Sequence, residues 1–232
     1  MRLHAKRNNS TVNKPHISKG WWAVIIIAAV VIIDQALKVW VKLNFALYED
    51  LRITDWFILR FVENNGMAFG MEWGPKLFLT WFRIIAVGVM FYYIYRLRKR
   101  EDVPTGYVIC ISLIAAGALG NVIDCIAYGL IFNESTPVSV AQIFPPGGGY
   151  ESIFHGRVVD MFYFPLFTWP NWVPLVGGSE FFQPVFNFAD ACLSVSVIVL
   201  VCFYSKYLVT DNNDEDQKAA TPAGDKPRDT QP

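Results

Sequence analysis

Two carboxylates, Asp160 and Asp190, are the residues in this chain best suited to acid–base chemistry, provided the fold brings them together. Asp190 stands in Asn187-Phe188-Ala189-Asp190, inside an apolar run with no basic residue within a helical turn; Lys206 lies far along the same segment. A carboxylate so placed must be neutral or share a proton with another acid. Asp160 stands in Val158-Val159-Asp160-Met161-Phe162. On its own it reads as a turn residue or a surface carboxylate, and it gains chemical meaning only beside Asp190. Two acids in a low-dielectric site cannot both ionise easily, so one holds a proton while the other acts as a base. The base activates water, and the acid polarises a carbonyl and helps protonate the leaving amine, which is peptide hydrolysis. Such a pair titrates as a unit.

Other polar groups occupy positions where they are costly. Asp34 and Lys38 are four residues apart in an apolar segment and share a helical face. A mutually neutralising pair that aids packing and a pair that supports a site are both consistent with that spacing. Asn121 and Asp124, three apart, follow Gly117 and Gly120, whose lack of side chains permits close helix approach. Structural adhesion and support of an active site both remain open for them. Rival hydrolytic signatures are missing: there is no H-E-x-x-H, no G-x-S-x-G, and no His beside Cys125 in sequence. The scattered His4, His16 and His155 give no metal-ligand spacing, so neither metal nor cofactor is expected. The four cysteines fall in apolar blocks and read as buried small residues.

The elements that must position these groups are membrane helices. Of the 232 residues 53% are hydrophobic and 16% aromatic, with zero formal net charge, which gives no reason to expect nucleic acid as a partner. Four apolar blocks, near 21–43, 76–97, 105–128 and 184–208, are long enough to span a bilayer. The block from Trp21 is too long for a cleavable signal peptide and is expected to remain as an anchor. Lys6, Arg7, Lys14 and Lys19 precede the first block, Arg96, Arg98, Lys99 and Arg100 follow the second, and Lys206 closes the fourth. The positive-inside rule then puts both termini in the cytoplasm and the stretches 44–75 and 129–183 on the outer face. Within the first outer stretch, β-branched and aromatic residues followed by Asn64-Asn65-Gly66 predict strands with a turn. The second carries Trp169, Pro170, Trp172 and Pro174, a composition suited to the headgroup region. Residues 1–20 form a cytoplasmic segment, 21–208 the membrane domain, and 209–232 a polar tail expected to be disordered. The fold class is therefore an α-helical integral membrane protein of four spans with a small outer β-structure.

Five blocks in this order resemble the lipoprotein signal peptidase (signal peptidase II) family: Asp34-Gln35-Ala36-Leu37-Lys38, Asn64-Asn65-Gly66-Met67-Ala68-Phe69-Gly70, Gly117-Ala118-Leu119-Gly120-Asn121-Val122-Ile123-Asp124, Val158-Val159-Asp160, and Phe186-Asn187-Phe188-Ala189-Asp190. The resemblance covers roughly residues 21–208. It implies an aspartic endopeptidase of the bacterial cytoplasmic (inner) membrane with its active site at the outer face. Such an enzyme removes signal peptides from prolipoproteins, cutting before a diacylglyceryl-modified cysteine. It further implies that Asp160 and Asp190 are catalytic, and that Asn64, Gly66, Gly117, Asn121, Asp124 and Asn187 line or support the site with Asp34 and Lys38. An outer β-cradle near 44–75, an interfacial helix or loop serving as a lid, contact with membrane lipids, and inhibition by globomycin-type peptides follow by the same resemblance. A monomer is expected.

The chain departs from the family in two places. Cys125 stands where the family usually has Arg, and Arg157 is expected to supply the missing charge. The outer loops 129–156 and 165–183 are also long for the family. The competing reading is a non-enzymatic four-span protein, a proton-coupled carrier or assembly factor using its acids as a relay. The lack of an internal repeat weighs against a carrier.

Overall fold

The structure, a computed structural model, describes residues 17–65 and 76–220, with side chains through residue 208. Helix α1 spans Lys19–Asn44; its start is capped by Ser18, whose hydroxyl accepts the Trp21 N–H at 3.4 Å. Helix α2 spans Lys76–Leu97 and α3 spans Thr105–Ile123. The latter runs on through one π-helical turn, Asp124–Tyr128, into the short α4, Gly129–Ile131. Helix α5 spans Phe188–Ala220. Four segments, Lys19–Asn44, Lys76–Leu97, Thr105–Ile131 and Phe188–Leu208, are long and apolar enough to cross a membrane. The expected four-span architecture is therefore present.

The central span is Thr105–Ile131, with 56% of its most apolar window buried against 17–22% in the other three. Those three wrap it and turn large apolar side chains outward, among them Phe78, Phe82 and Ile85 of α2 and Val195, Ile198 and Phe203 of α5. Such exposure is stable where hydrocarbon, not water, surrounds the helices. Close packing of α3 rests on its glycines. A Cβ on Gly117 would run into the Ala189 carbonyl oxygen of α5, and one on Gly120 would lie 2.6 Å from Asp34 Oδ2 and 3.2 Å from Ala189 Cβ. A Gly120→Val variant is accordingly expected to displace Asp34 and part α3 from α5. Its cost should be at least the roughly 1–3 kcal/mol of overpacking. Thermal unfolding in detergent measures it, and an unchanged midpoint would contradict this account of the contact.

A three-stranded antiparallel sheet caps the end of the bundle where α1 finishes and α5 begins. Strand β1 is Asp50–Thr54, β2 is Phe57–Asn64 and β3 is Val158–Tyr163, in the order β1-β2-β3. The β1–β2 hairpin turns at Asp55-Trp56, with Thr54 opposite Phe57. Asn64 ends β2, because its pairing with Val158 continues the ladder to that point. Gly66 and the rest of the segment through residue 75 lie outside the described residues.

Asp160 lies on a strand and is not a turn or surface residue. Its β-branched and aromatic neighbours pair with β2, placing Asp160 opposite Val62. Among the described residues no helix longer than α4 occurs in the stretches 44–75 and 129–183, and residues 165–183 form an irregular loop bridged at Thr168 and Glu180. Helix α5 begins later than position 184 because residues 184–186 are extended, with Phe186 bridging β3 at Phe162. The helix then runs beyond Leu208 to Ala220, ahead of Pro222 in the sequence.

Two apolar clusters flank a polar layer. One packs Leu97, Val103, Tyr107, Val108 and Ile111 around the Ala115 side of α3. The other packs Val41, Phe45, Phe61, Tyr128, Phe132 and Met161 beneath the sheet. Between them lie the buried Asp34, Lys38, Asn121, Asp124, Asp160 and Asn187.

Candidate active site

Asn187 organises this layer. It caps α5 in a reciprocal box: its Oδ1 accepts the Asp190 N–H at 2.9 Å, while Asp190 Oδ2 accepts the Asn187 N–H at 3.4 Å. Asn-Phe-Ala-Asp is thus a helix start that fixes Asp190 in the first turn of α5, closer to the helix end than a span beginning at 184 would place it. The Asn187 amide Nδ2 has a second task, donating to Asp160 Oδ1 at 2.7 Å and to Asn121 Oδ1 at 3.1 Å. Asn187 therefore reaches both carboxylates, that of Asp160 through its side-chain amide and that of Asp190 through its backbone N–H.

The remaining oxygens of the two acids are also held. Asn64 Nδ2 donates to Asp160 Oδ2 at 3.2 Å from the neighbouring strand, and Asn121 Nδ2 donates to Asp190 Oδ1 at 2.8 Å. Asp160 is 3% exposed whereas Asp190 is half-buried, so the pair is approached from the Asp190 side. Burial, reinforced by the negative charge of Asp190, pushes the Asp160 carboxyl up to about 7, against the opposing pull of the Asn64 and Asn187 donors and of Lys38.

That elevation has a consequence for stability. Protonation of Asp160 is favoured more in the folded than in the unfolded chain, so its contribution is fully present below about 4 and is lost as pH rises through about 7. At about 1.4 kcal/mol per pK unit, wild-type protein should lose about 2–3 kcal/mol relative to Asp160→Asn between pH 5 and pH 8. Paired thermal melts across that range measure the difference, and parallel curves would contradict the elevated carboxyl.

Beneath the acids sits a fully buried cation. Lys38 Nζ lies 2.9 Å from Asp34, 2.8 Å from Asp124 and 2.8 Å from Asn121 Oδ1. Its three donors thereby meet three acceptors, from α1, α3 and the π-helical turn. Asp34 Oδ1 also accepts the Ala189 N–H at 3.0 Å, satisfying a second free donor at the start of α5. Asp124 Oδ2 accepts the Val159 N–H at 3.2 Å, tying β3 to the π-helical turn. Gln35 donates to Asp124 at 2.9 Å and accepts from Tyr128 Oη at 3.0 Å. Asp34, Lys38, Asn121 and Asp124 thus hold in place the elements that carry the two acids. Gly117 contributes space, not contact.

Arg157 takes a different place from the one expected. Its guanidinium donates to Glu63 at 3.2 Å and Glu134 at 3.1 Å and lies 5.0 Å from the Tyr150 ring centre. The cation beside Cys125 is Arg83 of α2, with Nη1 3.5 Å from the sulfur. Arg83 was overlooked in the sequence, although a charge in the middle of an apolar span is itself a signal. A second buried cation, Lys42, was overlooked too. It pairs with Glu63, donates to Ser135 Oγ at 2.9 Å and lies among the Phe61, Phe132 and Tyr150 rings. Its spacing of four from Lys38 would have placed it on the same stripe of α1.

The family profile described as "Signal peptidase (SPase) II" matches residues 26–206. A protein from Porphyromonas gingivalis named Lipoprotein signal peptidase is 47% identical over 194 residues, covering 82% of this chain and 85% of its own. One of the same name from Amoebophilus asiaticus is 36% identical over 192 residues, covering 79% and 77%. A solved structure titled "Bacterial membrane enzyme structure by the in meso method at 1.9 A resolution" has the same fold at a TM-score of 0.53, with 24% identity over 78% of this chain and 90% of its own. A profile spanning most of the chain, together with relatives this similar over most of their length, makes the chain a bacterial membrane protein of the signal peptidase II family, a family of aspartic-type peptidases.

Proposed function

We propose that Asp160 and Asp190 are the catalytic dyad with which this chain removes signal peptides from prolipoproteins. The observation that carries this reading is Asn187, whose side-chain amide donates to the Asp160 carboxylate while its backbone N–H donates to that of Asp190, at the rim of a polar layer. Asp160, more deeply buried, holds the shared proton; the half-buried Asp190 acts as base toward a water between them. As the water oxygen bonds to the scissile carbonyl carbon, Asp190 takes one of its protons and Asp160 gives its own to the carbonyl oxygen, leaving a tetrahedral diol. When the C–N bond breaks, Asp190 returns a proton to the leaving amine and Asp160 receives one from the collapsing diol. The pair ends with one proton, as it began. Asn64, Asn121 and Asn187 hold the carboxyl oxygens in register for this exchange.

Basic residues cluster at the opposite end of the helices from the dyad, which supports cytoplasmic termini and an outer-face site in the bacterial cytoplasmic membrane. The substrate would be the diacylglyceryl-modified precursor, presented from the lipid phase and cut before its modified cysteine; globomycin-type peptides would compete for the dyad. The chain would act as a monomer. Purified protein in detergent should cleave such a precursor with chelator present and leave the unmodified precursor largely intact. Equal cleavage of both precursors would remove the lipidated cysteine from the proposal, and no cleavage of either would remove the activity.

A further inference from the structure

An apolar groove of about 560 Å³ runs between α1 and α2, away from the dyad. Ala23, Ile27 and Val31 form one wall, Ile94 the other, and Leu119 of α3 the far end. At its opposite mouth stands Arg98, which lies over Gly20 (a Cβ there would be 3.8 Å from Arg98 Cβ) with its guanidinium 4.3 Å from the Tyr95 ring centre. Among the described residues Arg98 has no carboxylate within ion-pair distance, unlike Arg100, which pairs with Asp102; Lys19 is occupied by the Arg100 and Val103 carbonyls, each at 2.5 Å. The groove therefore combines a hydrocarbon-lined slot with one positioned and unneutralised cation at the basic end of the bundle.

We propose that this groove binds an anionic phospholipid, its acyl chain between α1 and α2 and its phosphate on Arg98. The charge at the mouth selects an anionic amphiphile over a zwitterionic one. The apolar walls select an acyl chain over a soluble phosphate. A substrate segment is a poorer occupant, because the groove opens at the basic end, whereas the acids lie at the other end of α1 and α5. Leu119 sits next to Gly120, which contacts Asp34, so the filled groove would brace the α1–α3 contact beneath the polar layer.

The full-length protein in neutral detergent, titrated with phosphatidylglycerol or with phosphatidylcholine of the same chains, tests this by thermal shift and native mass spectrometry. Wild type should prefer phosphatidylglycerol by about fivefold, the effect of one interfacial cation. Arg98→Gln, at an exposed position, should bring that preference close to one without changing the unliganded melt. Ala28→Phe, which fills the slot, should weaken retention of both lipids. An equal response of wild type to the two lipids, an unchanged preference in Arg98→Gln, or the same stabilisation by glycerol phosphate alone would each overturn the proposal. So would a dimer cross-linked across Val24 or Phe91, exposed residues of the groove, that excludes lipid. The site does not depend on the dyad, so Asp160→Asn should show the same lipid preference.

Discussion

Asp160→Asn and Asp190→Asn should each lower prolipoprotein cleavage by about a thousandfold while the protein still folds and reaches the membrane. Each substitution leaves a shape-matched side chain that can neither hold the shared proton nor accept one from water, and acid–base groups typically contribute about 10²–10⁴ in rate. Folding should survive, because an Asn at 190 retains an oxygen for the Asn121 donor and an Asn at 160 retains one for Asn187 or Asn64. The double variant should be little worse than either single one, since the two acids act as one unit. Initial-rate assays on all three, with expression and melting as controls, separate lost chemistry from lost fold. Substantial residual cleavage by either single variant would remove that residue from the dyad.

Lys38→Met is expected to be the most damaging change to stability. It leaves Asp34 and Asp124 buried at 0% exposure without their common counter-charge. Breaking a buried ion pair by removing one partner costs about 3–5 kcal/mol, and here two acids lose the same partner. The start of α5 and strand β3 should both loosen, because Asp34 holds the Ala189 N–H and Asp124 holds the Val159 N–H. Combining Lys38→Met with Asp34→Asn and Asp124→Asn should recover much of the lost stability by removing the orphaned charges. Cleavage should recover less, because the Lys38 donor to Asn121 is still missing. A Lys38→Met protein as stable as wild type would show that the triad does not bind these elements together.

Much of this arrangement is legible in the sequence. Twenty-residue apolar runs, basic residues between them and polar pairs at helical spacing follow directly from bilayer thickness and helix geometry, so the spans matched closely. The pairing of Asp34 with Lys38 was readable for the same reason. The location of Asp160 on β3 was harder to read, because its partner strand lies about a hundred residues earlier and register is a non-local property. The contact of Asn64 with Asp160 is hidden for the same reason, since it depends on the pairing of β2 with β3. Asn187-x-x-Asp190 carried a capping signature in plain sight, but only the structure joined its amide to a residue on another element. Arg157 is expected to supply the missing charge from its place three residues before Asp160, whereas the cation in contact with Cys125 is Arg83, on a helix 42 residues away in sequence.

Infrared difference spectra of the carboxyl region, taken through a pH titration of the purified protein, test the shared proton most directly. A protonated carboxyl band should be present at pH 6, fade as pH passes through about 7, and be lost or displaced in Asp160→Asn. The absence of that band from wild type, or its persistence unaltered in both Asp160→Asn and Asp190→Asn, would mean that these acids do not hold a proton between them.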